Sequence, residues 1–365
     1  MKKISVAILA AAGLALAACG DKAEEEKIVN VYNWSDYIDE EILSEFEAET
    51  GIKVVYDVFD SNDVLETKLL AGGSGYDVVV PSGGFLGRQI QAGVFQPLDR
   101  SKLTNWGNLW DVILDRTSVF DPDNKYAVTY MWGTTGIGYN VNMVKERMAD
   151  APTNSWDMVF NPEIAAKFAD CGIYMLDASD EMIPAALNYI GEDPNSKDPQ
   201  VIAKAEAVLM GLRPYVRKFH SSEYIDALAN GDACVAVGWS GDILQARDRA
   251  TEADNGVEIN YVAPDEGAQM WFDMMAIPAD AAHANNAHTF INYIMRPDVM
   301  AKASNYVYYA NGNKASQPML NEDVINDPAI YPTPTALKSL FIVTPYDPDS
   351  QRALTRQWTR VKSGQ

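Results

Sequence analysis

Residues 28–59 read IVNVYNWSDYIDEEILSEFEAETGIKVVYDVF. The run opens with Ile28, Val29 and Val31, a strand-like stretch of β-branched residues. In DEEILSEFEAETG (39–51), Ile42, Phe46 and Glu49 fall at helical spacing, acids occupy the first turn, and Gly51 supplies the stop. IKVVYDVF (52–59) then reads as a second strand. The alternation continues outward. SNDVLETKLLAGG (61–73) is a helix starting at a Ser61/Asn62 cap, YDVVVP (76–81) a buried strand, and FLGRQIQAG (85–93) another short helix. Strands alternating with helices define an α/β protein with a mostly parallel sheet, whose ligand crevice lies beyond the carboxyl ends of its strands. Two unusual junctions fall at such ends: PSGGF (81–85), and NWSDY (33–37), which sets two large rings and an acid where turn residues would do.

A second α/β unit follows MWGTTGIGYN (131–140), an extended, glycine-rich crossing. It holds CGIYML (171–176), a helical AEAVLMGL (205–212) and DACVAVGWSGD (232–242). NGVEINYVAPDEG (255–267) is extended again, and WFDMMAIP (271–278) reads as a strand returning to the first unit. Two crossings predict two discontinuous lobes with a two-strand hinge: 28–136 plus 260–310, and 137–259 plus 311–365. Two consecutive domains joined once are the competing arrangement.

The chain begins with a positive MKK and the apolar ISVAILAAAGLALAA, too short for a membrane span, and so reads as a signal segment over residues 1–18. Cys19 follows directly, as in a lipobox, and GDKAEEEK looks like a tether over 19–27. An ordinary peptidase site at Ala15-Leu16-Ala17 is the alternative. Either way the chain is expected to be exported, and no later segment approaches ~20 apolar residues. Roughly 345 residues remain, enough for two domains. The formal charge is −22, and becomes −24 once Lys2 and Lys3 leave. Such acidity argues against nucleic acid and anionic membranes as partners. Besides Cys19, the cysteines are Cys171 and Cys234, and an isolated pair in an oxidising compartment is expected to be bridged.

Catalytic signatures are missing. The three histidines (220, 283, 288) form no H-E-x-x-H, and neither a Walker A loop nor a G-x-S-x-G elbow occurs. DPDNKY (121–126) begins like a calcium loop, but Tyr126 stands where glycine is needed. His220 beside Ser221 and Ser222 reads as structural. What recurs instead is an aromatic ring within three positions of a carboxylate: Trp34/Asp36/Tyr37, Trp239/Asp242 and Trp271/Asp273. Aromatic faces attract organic ammonium groups by ~0.5–2 kcal/mol, and carboxylates supply the counter-charge that makes burying an ammonium affordable. Acids at the ends and rings along the middle suit a polyamine.

YNWSDYI, ETGIKVVYDVFDSN, LLAGGSGYDVVVPS, AGVFQPLD, MWGTTGIGYN, FHSSEYI, LANGDACVAVGWSGD and the terminal TRQWTRVKSG closely resemble the spermidine/putrescine-binding proteins of bacterial ABC importers. The resemblance implies a two-lobed periplasmic binding protein (type II), not an enzyme, that closes on a polyamine and presents it to an inner-membrane permease. Its ligand motifs carry over to Trp34, Ser35, Asp36, Tyr37, Ser82, Glu181, Trp239, Asp242, Trp271, Asp273 and Tyr309, and the family commonly pairs the cysteines matched by Cys171 and Cys234. No cofactor and no metal are implied. The chain is expected to act as a monomer in the periplasm, touching a membrane only through lipid on Cys19. Asp242 and Asp273 are expected to neutralise one ammonium, and Glu181 or Asp36 another. Asp180 adjoins Glu181, and either can face the cleft. The glycines after Ser82 are expected to leave that wall open, and the broad indole of Trp271 leans toward spermidine over putrescine. Rival readings are a ferric-ion binder using Tyr308–Tyr309, a paired-carboxylate glycosidase, and a polyamine sensor.

Overall fold

The computed structural model describes residues 25–365; the signal segment, Cys19 and most of the tether lie outside the described residues. Strand β1 (Ile28–Trp34) pairs in parallel with β2 (Lys53–Phe59) along its whole length, and on its other side with β3 (Val78–Val79). The helix between the first two strands is Glu40–Thr50. The Asp39 side chain accepts from the Glu41 N–H, Gly51 closes the helix at φ 68°, and Ile42 and Phe46 are its buried stripe. Ser61 caps the next helix, Asn62–Ala71, by accepting from the Asp63 N–H. Of the expected strand YDVVVP only Val78 and Val79 join the ladder. The Val80 carbonyl is taken by the Trp34 indole and that of Pro81 by the Met274 N–H, so these acceptors are satisfied outside it.

The joint of the molecule is β4 (Ala127–Asn140), fourteen residues long and buried throughout. The remaining strands are β5 (Ile173–Met175), β6 (Val216–Phe219), β7 (Val235–Trp239), β8 (Ile259–Val262), β9 (Met270–Ala276) and β10 (Ala310–Asn311). From Ala127 to Thr134, β4 runs antiparallel to β9; from Thr135 to Asn140 it runs antiparallel to β7 on one side and β8 on the other. Strand β10 joins at Met131 and Trp132. β9 also pairs with β3, and β5 lies parallel to both β6 and β7, giving the order β2-β1-β3-β9-β4-β7-β5-β6. One mixed sheet therefore carries two halves, and β4 changes partners between Thr134 and Thr135. Cys171 and Cys234 form a disulfide at the starts of β5 and β7, with Cα atoms 5.5 Å apart.

The chain after β10 packs on both halves. Tyr331 meets Trp132 edge-on at 5.8 Å, whereas the helix Pro348–Ser363 lies on Pro199–Leu212 and Ser179–Tyr189. No helix of the described residues is long and apolar enough to cross a membrane.

A closed aromatic cleft with three buried acids

The residues that the sequence marks converge where β4 changes partners. Trp34 ends β1, Ser82 opens the helix Gly83–Gln91, and Trp271 and Asp273 lie on β9. From the other half come Glu181 in the first turn of Ser179–Tyr189, Trp239 at the end of β7, and Asp242 in the first turn of Ser240–Ala253. Together with Ser35, Tyr37 and Tyr309 they line one cleft.

Each acid is buried and held only by uncharged donors. Asp273, 4% exposed, accepts from Tyr37 at 2.8 Å and from Ser82 Oγ at 2.6 Å. Ser82 stands at a helix N-cap but makes no capping bond: its hydroxyl goes to Asp273 while accepting from Asn62 Nδ2. Asp242 accepts from Tyr309 at 2.6 Å and Tyr224 at 2.7 Å. Glu181 accepts from the Thr135 hydroxyl, and from Trp239 Nε1 at 3.3 Å. Among the described residues no Lys or Arg pairs with any of the three: Arg249, on the same helix as Asp242, is committed to Asp36 and Asp226. Desolvation therefore prevails over the hydrogen bonds. It pushes Asp242 up to about 6 and Asp273 to about 7; Glu181, with Asp180 adding like-charge repulsion, reaches about 8.

The rings form a continuous wall across both halves. Trp34 meets Trp239 at 5.5 Å, Trp239 meets Trp271 at 6.5 Å, Trp271 meets Tyr309 at 5.3 Å, and Tyr309 meets Tyr37 at 5.2 Å, all edge-to-face. Rings of the two halves touch, so the cleft is closed. Stacked edge-to-face, they present several indole and phenol faces to one narrow channel, a lining for a thin apolar stem with cationic ends.

Asp36 stands apart from the other marked residues. It does not line the cleft; its carboxylate accepts from Arg249 at 2.7 Å, an ion pair between the loop after β1 and the helix Ser240–Ala253. Its expected role as an ammonium counter-charge is thus taken up by a protein cation. Glu181, not Asp180, faces the cleft. Asp180 lines two adjoining cavities, the larger of which also takes in Gly83 and Gly84. Gly83 is packed so that a Cβ there would meet the Phe120 ring at 2.5 Å, so at that position the expected open wall is filled. That larger cavity shares Ser82, Glu181 and Trp271 with the cleft. Sequence reasoning missed Asp60 and Ser221, which also line the cleft. Asp60 follows β2 at a strand end and was open to the same reasoning as NWSDY. Ser221 sits in FHSSEYI beside His220, whose Nδ1 accepts from the Ser222 and Glu223 N–H groups in a local turn. No group of His, Cys, Asp and Glu among the described residues is arranged to hold a metal.

Two halves hinged on shared strands, closing on a cleft of rings and acids, define a solute-binding protein. Residues 41–333 match the family model of bacterial extracellular solute-binding proteins, and the chain belongs to that family. It is 51% identical to the putrescine-binding periplasmic protein PotF of Escherichia coli, over 98% of this chain and 97% of that one. It is 50% identical to the putrescine-binding periplasmic protein SpuD of Pseudomonas aeruginosa over the full length of both. Among solved structures, the spermidine/putrescine ABC transporter substrate-binding protein PotD of Streptococcus pneumoniae superposes with a TM-score of 0.74 at 30% identity, covering 92% of this chain and 99% of that one.

Proposed function

We propose that the protein captures a linear polyamine, with putrescine as its principal ligand, between its two halves and delivers it to an ABC importer. The observation that carries this reading is the set of three buried carboxylates without a protein cation. Such groups are costly to ionise unless a positive charge joins them, and the ring wall between them suits a methylene stem. The two relatives at 50–51% identity are putrescine-binding periplasmic proteins, which supports putrescine as the ligand and binding as the role. A ferric ion would need hard oxygen ligands free of indole, and Tyr309 is already bonded to Asp242.

The lobes divide, in this reading, at Thr134/Thr135 on β4 and between β8 and β9, with the chain around Tyr331 in the first lobe and Pro348–Ser363 in the second. Ligand contacts from both lobes then favour closure through differential affinity alone. Lipid on Cys19 would tether the protein at the membrane beside its permease; Cys19→Ala is expected to release the protein or stall its processing, read by membrane fractionation. Titration calorimetry tests the site. Asp273→Asn should weaken putrescine and spermidine alike, by ten-fold or more, because an ammonium is left unpaired in a closed cleft. Unchanged affinity would reject the site.

A further inference from the structure

Asp242 is gripped from two sides by tyrosines on separate elements. Tyr309, just before β10, donates to Oδ1; Tyr224, in the helix Tyr224–Ala229, donates to Oδ2. Tyr224 does not line the cleft and is fully buried. Its hydroxyl also accepts from the Trp239 N–H at 3.1 Å, so one phenol oxygen ties together an acid and a ring of the cleft. The sequence around Asp242 is built for this. A Cβ at Gly238 would come within 2.5 Å of the Tyr224 ring, and one at Gly241 within 2.5 Å of the Tyr309 ring. The two glycines of GWSGD are the spaces into which the two tyrosines fit.

We propose that Tyr224 is a positioning residue for ligand binding: its hydroxyl fixes the Asp242 carboxylate in the orientation that meets the ligand's ammonium, and Gly238 admits it to that place. The proposal rests on the reading of Asp242 as an ammonium counter-charge. Tyr224 stands on the same half as Asp242, so it holds that carboxylate in place before the halves close, and little side-chain freedom is lost when the ligand arrives. A ring serving only to fill the core has no need of the hydroxyl, yet here both the donor and the acceptor capacity of that hydroxyl are used. The other groups facing Asp242 act at longer range: Asp36 on the loop after β1, Arg249 on its own helix, and Tyr37 and Asp273 across the cleft. Among the described residues only the two tyrosine hydroxyls donate to its side chain.

Tyr224→Phe keeps the ring that fills the Gly238 space and removes only the hydroxyl. Putrescine affinity by calorimetry should fall roughly ten-fold, the scale of one hydrogen bond to a charged group. The pH at which binding is half lost on acidification should move up, since the lost bond favoured the ionised carboxylate. In an Asp242→Asn background the same substitution should cost clearly less, as a double-mutant cycle requires of a residue acting mainly through Asp242, the remainder being its bond to the Trp239 N–H. Site-specific 3-fluorotyrosine at position 224, a stronger donor of unchanged shape, should move the pH midpoint down; it carries the test if Tyr224→Phe folds poorly. Wild-type affinity with an unmoved pH profile in Tyr224→Phe, an unmoved midpoint with fluorotyrosine, or an undiminished loss in the Asp242→Asn background overturns the proposal. If Asp242→Asn itself binds as wild type, the site reading fails and the proposal with it. Loss in Asp242→Asn with none in Tyr224→Phe overturns the proposal alone.

Discussion

Closure of the ligand-free protein should depend on acid, and Asp273 sets the scale. Opening the cleft would return its carboxylate to water and towards its ordinary value of 3.8, whereas burial in the closed cleft pushes it up to about 7. The closed form therefore holds the proton more tightly, and low pH favours closure. At pH 8 the group is ionised in both forms, and closing without a cation costs on the order of 4 kcal/mol, at about 1.4 kcal/mol per tenfold change in proton affinity. At pH 5 the closed form is protonated and the cost drops to about 2 kcal/mol; below 3.8 it vanishes because both forms carry the proton. The swing from pH 8 to pH 5 is thus roughly 100-fold in the closed population from this acid alone. Asp242 and Glu181 are raised by the same desolvation and act in the same direction. A dication achieves at neutral pH what protons achieve in acid, which makes the three acids the reason the cleft waits for its ligand. Small-angle scattering on ligand-free protein measures this. The radius of gyration should exceed that of the putrescine complex at pH 8 and approach it at pH 5, and Asp273→Asn should shift that approach to higher pH. Scattering curves that superimpose at the two pH values, with the fold intact, would refute the reasoning.

Trp271 stands between the cleft and the second cavity, so a longer ligand crosses its face; Trp271→Ala should weaken spermidine about ten-fold and putrescine less, and equal losses by calorimetry would remove it from any selectivity role. The Asp36–Arg249 pair joins two elements across the cleft mouth at side-chain exposures of 39% and 36%, so Asp36→Asn should cost binding under about 1 kcal/mol and blunt its salt dependence; a hundred-fold loss would return Asp36 to the ligand's own contacts. The Cys171–Cys234 bridge spans 63 positions, and its loss in a Cys171→Ser/Cys234→Ser variant should lower unfolding free energy by about 4 kcal/mol in chemical denaturation, with ligand affinity unchanged.

Much of this was legible because local signals carried it. Helix 40–50 announces itself through Asp39, its acidic first turn and Gly51, all within a dozen residues, and the structure uses each of them. The rings and acids were legible for a different reason: parallel β1 and β3 gather their ends, so NWSDY and PSGGF approach one another. GWSGD meets them from the other half because β7 ends opposite Thr135, where β4 changes partners. What stayed hidden depends on pairings that no local pattern encodes. Asp36 looks like any cleft acid until Arg249, 213 residues away, is seen to hold it. Asp180 and Glu181 are adjacent on one helix turn, and only the position of Thr135 and Trp239 decides which carboxylate faces the rings.

The same contrast explains why the site is assembled at β4 rather than on either half. Thr134 is the last residue of β4 paired to β9 and Thr135 the first paired to β7. Thr135 donates to Glu181, while Trp271 and Asp273 lie on the strand that pairs with β4 up to Thr134. A hinge motion at this point must therefore alter the distance between the acids of the two halves, with little change inside either half. Tyr37 and Ser82 stand on the same half as Asp273, and Tyr224 on the same half as Asp242, so these donors orient their acids before closure. Tyr309 reaches Asp242 from the β10 side of β4 and joins it across the cleft. On the proposed reading, ligand selection then reduces to the separation of the acids of the two halves across a ring-lined cleft.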